Sequence, residues 1–350
     1  MAASSALPQL QFNWTHHLER WGTPGTEQSA AGWRDGSWYS FHNRPYKQLP
    51  EMIPALAPFY TDAELNFDPG NFVVFAALNY PLVFGIVTAY AVLVFGGQYL
   101  MKGWPAFDLQ RPLALWNLAL SVFSTMGMLR VVPHLLYNLY THGLAYTQAY
   151  GSGATGLWVM LFIFSKIPEL FDTAFIVLRK KKLLFLHWYH HITVLLYCWD
   201  SYASYAAPGL WFIAMNYTVH AIMYFYFFLT ACGYRPSWAP LVTTLQISQM
   251  AVGVMVCTMV YLLKFRGADS TCDVSDINFL AGLAMYASYF VLFGLFALKR
   301  YCSGSAPRSS AAKAKAGSAY SGKLAGSPGG WAVEGGVITP LPHANQDSAP

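Results

Sequence analysis

Seven stretches of the chain are apolar for long enough to cross a lipid bilayer: 72–98, 113–137, 155–178, 185–203, 209–231, 239–263 and 277–298. A hydrocarbon layer about 30 Å thick needs roughly 20 residues of helix. In lipid, only a helix or a closed barrel satisfies every backbone polar group. The first, fifth, sixth and seventh stretches contain no Asp, Glu, Lys or Arg. The pattern therefore predicts an all-α, polytopic membrane protein with seven transmembrane helices. The flanks read differently. Residues 1–71 mix Trp, Pro and polar side chains without clear periodicity, and are expected to form a loose N-terminal segment with at most a short interfacial helix. Residues 301–350 are rich in Gly, Ser, Ala and Pro and are expected to be a disordered tail. The membrane domain would then occupy 72–300. No internal repeat is visible.

Composition supports this division. Only 11% of residues are charged and 55% are hydrophobic, with a mean hydropathy of +0.34. Soluble domains carry about 25% charged residues. The net charge of +5 sits in loops and tail, where it suits anionic lipid and cytosol, and no nucleic-acid partner is implied. Loop charge also sets the direction of the chain. Lys102, Arg111, the run Arg179-Lys180-Lys181-Lys182, Arg235 and six Lys or Arg after the last span all fall on one side. The opposite loops at 138–154 and 204–208 have no Lys or Arg, and Lys264 and Arg266 are offset by three Asp. This places the C-terminus in the cytosol and the N-terminus across the membrane. Asn13-Trp14-Thr15 is then a permissive glycosylation sequon, whereas Asn216-Tyr217-Thr218 lies inside a span and should be silent. No cleaved signal peptide is evident. The five cysteines show no CxxC or zinc spacing, so neither a disulfide framework nor a structural metal is expected.

The candidate chemistry lies in polar residues inside the spans, where ionisable groups are costly and usually face the bundle interior. Span 3 carries Lys166, Glu169 and Asp172, followed by Thr173; span 4 carries His187, His190 and His191. Span 5 carries Asn216 and His220, then Met223, Tyr224 and Tyr226; span 6 carries Thr243, Gln246 and Gln249. Residues three or four apart share a helix face, so each set is one stripe. With a rise of about 1.5 Å per residue, Glu169, His190, His220 and Gln246 all fall roughly 8–17 Å below the cytosolic surface. Four helices thus bring polar groups to one level, as a single buried site open to the cytosol requires. Plainer readings stand beside this one. Lys166 and Glu169 also fit a structural ion pair. Gln246 and Gln249 fit hydrogen bonding between helices. Arg130 and His134 are expected to snorkel or pair locally, and Asp200 to be solvated. Cys198, on the stripe of His191, reads as core packing rather than as a nucleophile.

Four motifs carry a resemblance. Lys166-x-x-Glu169-x-x-Asp172-Thr173, His187-Trp188-Tyr189-His190-His191, Asn216-x-x-x-His220-x-x-Met223-Tyr224-x-Tyr226 and Thr243-x-x-Gln246-x-x-Gln249 follow one another on four consecutive spans. The chain from about residue 70 to 300 resembles the ELO family of fatty-acid elongases. That resemblance implies seven helices, six of them ringed around a closed-ended acyl tunnel, in the endoplasmic reticulum membrane. It also implies a 3-oxoacyl-CoA synthase, which condenses acyl-CoA with malonyl-CoA and releases carbon dioxide and CoA. The sequence around the histidine box looks like the branch acting on saturated and monounsaturated chains. Phe227 departs from the second Tyr of many members, and the C-terminal residues lack the dilysine retrieval signal of many relatives.

For such a reaction, the absence of a convincingly placed Cys makes an imidazole nucleophile economical, and the resemblance implies an acyl-imidazole on the histidine box. His190 is the candidate nucleophile, with His187 and His191 orienting it or moving protons. His220 and Asn216 would polarise the malonyl thioester carbonyl. Lys166, Glu169, Asp172, Tyr224, Gln246 and Gln249 would position or line the site. Arg179, Lys180, Lys181, Lys182 and Arg235 would meet CoA phosphates. Beyond the two CoA substrates, no cofactor and no metal are implied. Membrane lipid is a partner, and a homodimer is left open. There is no glycine signature for NADPH, so a ketoreductase, a dehydratase and an enoyl reductase would complete the cycle. Two rivals remain. A di-iron desaturase or hydroxylase also uses His-x-x-His-His, but its family needs around eight histidines in several boxes. Of the ten histidines here, His16, His17, His42, His142 and His343 lie outside the spans. A seven-helix transporter would show broken helices in mirrored halves.

Overall fold

The structure, a computed structural model, describes residues 45–142, 152–204, 206, 208–265 and 274–302, with short strands at 32–34, 37–39, 331–334 and 337–340. The Asn13 sequon and His16, His17, His42 and His343 lie outside the described residues.

In the flanks, β1 (Gly32–Arg34), β2 (Ser37–Tyr39) and β3 (Pro45–Tyr46) pair antiparallel in that order. A second antiparallel pair, β4 (Trp331–Glu334) and β5 (Val337–Pro340), falls within the tail expected to be disordered. Between them, the described elements are all helices. Two short helices, α1 (Leu49–Met52) and α2 (Asp62–Leu65), lead into α3 (Gly70–Leu78) and α4 (Tyr80–Leu100). They are followed by α5 (Gln110–His142), α6 (Gly153–Ser165), α7 (Phe171–Leu178) and α8 (Phe185–Ala203). The last three helices are α9 (Gly209–Ala231), α10 (Ala239–Phe265) and α11 (Asp276–Ala297).

Six helices close a ring: α5 packs on α6, α6 on α8, α8 on α11, α11 on α10, α10 on α9, and α9 back on α5. The α5–α9 seam is the most extensive contact. Gly127 makes it possible, because a Cβ there would sit 2.3 Å from the Tyr217 ring. α4 stands outside the ring against α7 and α8. The helices α4, α5, α9, α10 and α11 are each long and apolar enough to cross a membrane. Large apolar side chains such as Leu93, Leu115 and Leu280 are exposed on three of them, as lipid-facing surface would be.

Several expected boundaries are corrected. The first span, 72–98, is not one helix: Asn79 leaves helical geometry between α3 and α4 (φ −114°, ψ 38°). Pro81, just inside α4, has no N–H to continue the ladder and its ring crowds the preceding turn. The Asn79 amide instead donates to the Phe75 carbonyl at 2.7 Å. The third span divides at Pro168 into α6, one 3₁₀ turn and α7. The second runs on to His142, into what was expected to be a loop.

The N-terminal segment, expected to be loose over 1–71, is tied down from Gln48 onward. The Gln48 side chain donates to the Leu65 carbonyl (2.7 Å) and accepts from the Ala154 amide (3.2 Å). Its approach requires Gly153, which sits at φ +61° and where a Cβ would meet Gln48 Oε1 at 2.1 Å. α2 begins with a capping box: Glu64 N donates to Thr61 Oγ1 (3.3 Å) and Thr61 N to Glu64 Oε2 (3.0 Å). The same Glu64 carboxylate accepts from Arg130 Nε (2.8 Å) and Trp158 Nε1 (2.9 Å). Arg130 also donates to the Phe59 carbonyl and lies 4.4 Å from the Tyr60 ring centroid. So Arg130 pairs across the fold rather than locally. Asp200, expected to be solvated, is likewise held, by Tyr80 OH (2.8 Å) and the Asn278 amide (2.9 Å).

Burial alone would raise the Glu64 pKa, but the hydrogen bonds from Arg130, Thr61 and Trp158 outweigh it and hold the carboxyl at about 2. A depressed carboxyl stabilises the fold above its unfolded pKa, and that stabilisation fades as pH falls through the folded value. Glu64→Gln is therefore expected to destabilise the segment at neutral pH by about 1.5–3 kcal/mol, the range for hydrogen bonds to charged groups. Amide exchange across residues 61–65 reads this. The gap between wild type and variant should narrow as pH drops below about 4.5 toward 2.

Candidate active site

The break at Pro168 aims the polar stripe of the third span into the ring. Lys166 is 2% exposed, and its Nζ donates to both oxygens of Glu169 (2.7 and 3.0 Å). Ser165 Oγ adds a bond to Glu169 Oε1 (2.9 Å). The ammonium has a further acceptor, Asn216 Oδ1 on α9 (3.3 Å), and stands 4.0 Å from the Phe162 ring centroid. A buried pair of this kind needs its remaining donors and acceptors satisfied, and here Asn216 does that. Because its oxygen is taken by Lys166, the Asn216 amide nitrogen is the atom that meets His220 Nε2 (3.1 Å). That nitrogen of His220 is therefore an acceptor, and its proton resides on Nδ1, a tautomer assigned from the hydrogen-bond pattern.

Asp172 ties three helices together. Its Oδ1 accepts from Trp116 Nε1 on α5 (2.6 Å) and its Oδ2 from Tyr224 OH on α9 (2.7 Å). Thr173, next on α7, is fully buried and meets His187 Nε2 at 2.9 Å.

The histidine box occupies the first two turns of α8. The ring centroids of His187 and His191 are 4.5 Å apart, and those of His190 and His191 5.6 Å. His187 and His191 are buried and His190 is half-buried. Tyr289 of α11 stacks obliquely 5.1 Å from the His190 ring and donates to the His190 carbonyl (3.2 Å). Among the described residues, none hydrogen-bonds a ring nitrogen of His190 or His191. Both imidazoles keep a lone pair available.

Two cavities meet at this point. The first, of about 70 Å³, is lined by Glu169, Asp172, all three box histidines, Asn216, His220, Tyr224, Gln246 and Gln249. Its lining on α8 starts at Leu186, four residues after Lys182 in the chain. The second, of about 40 Å³, shares His190, Asn216, Gln249 and Met250 with the first. It continues deeper along α8, past Cys198 to Ser201, among mainly apolar neighbours such as Phe212 and Tyr286. Phe212 and Tyr286, both lining it, pack against each other with ring centroids 4.7 Å apart.

Ten of the eleven catalytic and site-lining candidates form this one region, and Lys166, the eleventh, joins it through Glu169 and Asn216. Gln246 bridges to α9 only through the Met223 sulfur (3.1 Å), and its Oε1 has no partner among the described residues. The basic residues line neither cavity. Arg179 donates to Gln110 (2.6 Å), and partial burial lowers its pKa while Asp108 opposes the shift. Lys180, at φ 53°, donates to the Trp104 carbonyl (3.0 Å). Lys182 and Arg235 are exposed. Sequence reasoning missed Tyr90, Trp116 and Tyr289. Aromatic residues are so frequent in these spans that none of the three stands out. Among the described residues, no three His, Cys, Asp or Glu side chains converge as metal ligands would.

Comparison with known proteins agrees with the four motifs. The family described as "ELO: GNS1/SUR4 family" matches residues 75–309. "Very long chain fatty acid elongase 6" of Drosophila melanogaster is 44% identical over 231 residues, 64% of this chain and 73% of the relative. The Homo sapiens protein of the same name is 42% identical over 244 residues, 68% of this chain and 91% of the relative. "Fatty acid elongase 3" of Trypanosoma brucei brucei is 38% identical over 275 residues, 69% and 91% of the two chains.

Proposed function

Because the chain belongs to the ELO family, we propose that its two joined cavities divide the condensation between them, with His190 at the junction. The protein is a polytopic membrane enzyme of fatty-acid elongation that condenses acyl-CoA with malonyl-CoA. The observation that carries the division of labour is the pair of cavities sharing His190, whose ring nitrogens have no hydrogen-bond partner among the described residues. One side is polar and the other mainly apolar, as a thioester head and an acyl chain require.

In the first half-reaction the free His190 nitrogen attacks the acyl thioester carbon. The C–S bond breaks, and the proton lost by the imidazole leaves with the sulfur as CoASH, so a neutral acyl-imidazole remains. In the second, malonyl-CoA loses carbon dioxide. Its thioester oxygen gains negative charge, opposite the Nδ1–H that the Asn216 contact fixes on His220. The resulting carbanion attacks the acyl carbon, the C–N bond to His190 breaks, and the departing imidazolate takes one proton from solvent, the proton that the overall reaction consumes. The Lys166–Glu169 pair orients Asn216, and Asp172 locks α5, α7 and α9. Gln246 and Gln249 face the head of the substrate. Lys181, Lys182 and Arg235 meet the CoA phosphates, joined by Arg179 and Lys180 on release from Gln110 and Trp104. Seven spans, with the divided third and the histidine-bearing fourth counted, would set the termini on opposite sides, and the Lys and Arg of the loops support a lumenal N-terminus and a cytosolic C-terminus in the endoplasmic reticulum. A ketoreductase, a dehydratase and an enoyl reductase consume the product.

Supplied with malonyl-CoA and a panel of acyl-CoAs, the purified enzyme is expected to extend long-chain saturated and monounsaturated members. Extension of polyunsaturated members alone would overturn the choice of branch. Chelation is expected to leave the rate unchanged. Stoichiometric iron, with activity lost on its removal, would favour the di-iron reading instead.

A further inference from the structure

We propose that Tyr90 on α4 and Thr173 on α7 are positioning residues that fix the tautomer and ring orientation of His187, and through it the packing of His191. The proposal rests on the reading that the histidine box performs the condensation.

Three helices supply one chain of contacts. Tyr90 OH meets Thr173 Oγ1 at 2.8 Å, and Thr173 Oγ1 meets His187 Nε2 at 2.9 Å. Tyr90, Thr173 and His187 are all buried, so these bonds lie away from bulk solvent. Direction follows from donor counting. A threonine hydroxyl has one proton and two lone pairs. Tyr90 OH has no other partner among the described residues, and a phenol is a better donor than an alkyl alcohol. The Tyr90 proton therefore goes to Thr173, and the Thr173 proton to His187 Nε2. That assigns the His187 proton to Nδ1. The His187 ring lies 4.5 Å from His191, and the His191 ring 5.6 Å from His190. A turn of His187 is thus passed along the box.

This gives the peripheral helix a part in the chemistry. The Tyr90 ring also lines an apolar groove of about 560 Å³ between α4 and α7. The phenol is thus the point at which the outer helix reaches the site.

The test uses the full-length enzyme and three variants: Thr173→Val, which keeps the shape and removes the hydroxyl, Thr173→Ser, which restores it, and Tyr90→Phe. Loss of the bond to His187 is expected to lower kcat roughly tenfold to a hundredfold in Thr173→Val, no more than the low end of a direct acid–base contribution because the imidazole itself remains, with KM for both substrates unchanged. Thr173→Ser is expected to recover most of that loss. Tyr90→Phe should lower kcat about threefold to tenfold, the equivalent of one ordinary hydrogen bond. Wild-type kcat in both Thr173→Val and Tyr90→Phe would overturn the proposal. So would a serine variant as impaired as the valine variant, or an effect confined to KM. A second measurement needs no turnover: ¹⁵N spectra of histidine-labelled protein should show His187 protonated at Nδ1 in the wild type and altered in Thr173→Val. An unaltered signal would overturn the chain of contacts even in an enzyme that condenses substrates. Altered signals in a folded protein without condensation would uphold the contacts and remove the proposed function instead.

Discussion

Replacing His190 with Ala is expected to abolish the covalent acyl-enzyme and to lower condensation on the order of a thousandfold or more, as loss of a nucleophile does when no other group substitutes. The geometry leaves few substitutes. His187 already engages Thr173 and His220 engages Asn216. His191 has free nitrogens but does not line the deeper cavity into which an acyl chain would extend. Cys198 lines that cavity but is buried among apolar neighbours, seven residues beyond the box. Incubation with acyl-CoA alone, followed by intact-protein mass spectrometry, reads the first half-reaction. Wild type and Asn216→Ala should both carry the acyl group, since Asn216 serves the second half-reaction. His190→Ala should carry none. An acylated His190→Ala protein would sink the assignment of His190 and leave His191 as the group to examine.

Lys166→Met is expected to destabilise the protein by about 3–5 kcal/mol, the cost of leaving one member of a buried pair without its counter-ion. Glu169 is 4% exposed, and among the described residues its hydrogen-bond partner other than Lys166 is the Ser165 hydroxyl. The charged carboxylate then has no cation within reach in a low-dielectric bundle. Adding Glu169→Gln to the same chain should recover much of the loss, because the stranded charge disappears. The damage is also expected to reach the reaction, since Asn216 loses the contact that sets its amide orientation toward His220. Thermal unfolding in detergent, with wild type, both single variants and the double variant, separates the effects. A Lys166→Met protein within about 1 kcal/mol of wild type would mean that the pair is solvated rather than buried, given how little exposed pairs contribute.

The site was readable in the sequence because charge and imidazole are scarce inside lipid-spanning segments. Lys166, Glu169, the box and His220 stood out against runs with few other ionisable residues, and helical spacing placed each set on one face. What remained hidden was hidden for the converse reason. Tyr90, Trp116 and Tyr289 sit among 23 Tyr and 12 Trp, and their contacts cross between helices far apart in the chain. The N-terminal segment looked loose because its order comes from Gln48 and Glu64 bonding to residues 65, 130, 154 and 158, which no local pattern records. The break at Asn79 was written in Pro81, but continuous hydropathy across 72–98 outweighed it. The ring order, with the second span beside the fifth and the fourth beside the seventh, follows from packing and could not be taken from periodicity.

The account stands most directly on the reaction itself. Purified protein in detergent, given a long-chain saturated acyl-CoA and malonyl-CoA, should release carbon dioxide and yield the 3-oxoacyl-CoA two carbons longer, as read by mass spectrometry. Folded protein that yields neither product, with any acyl-CoA offered, would contradict it.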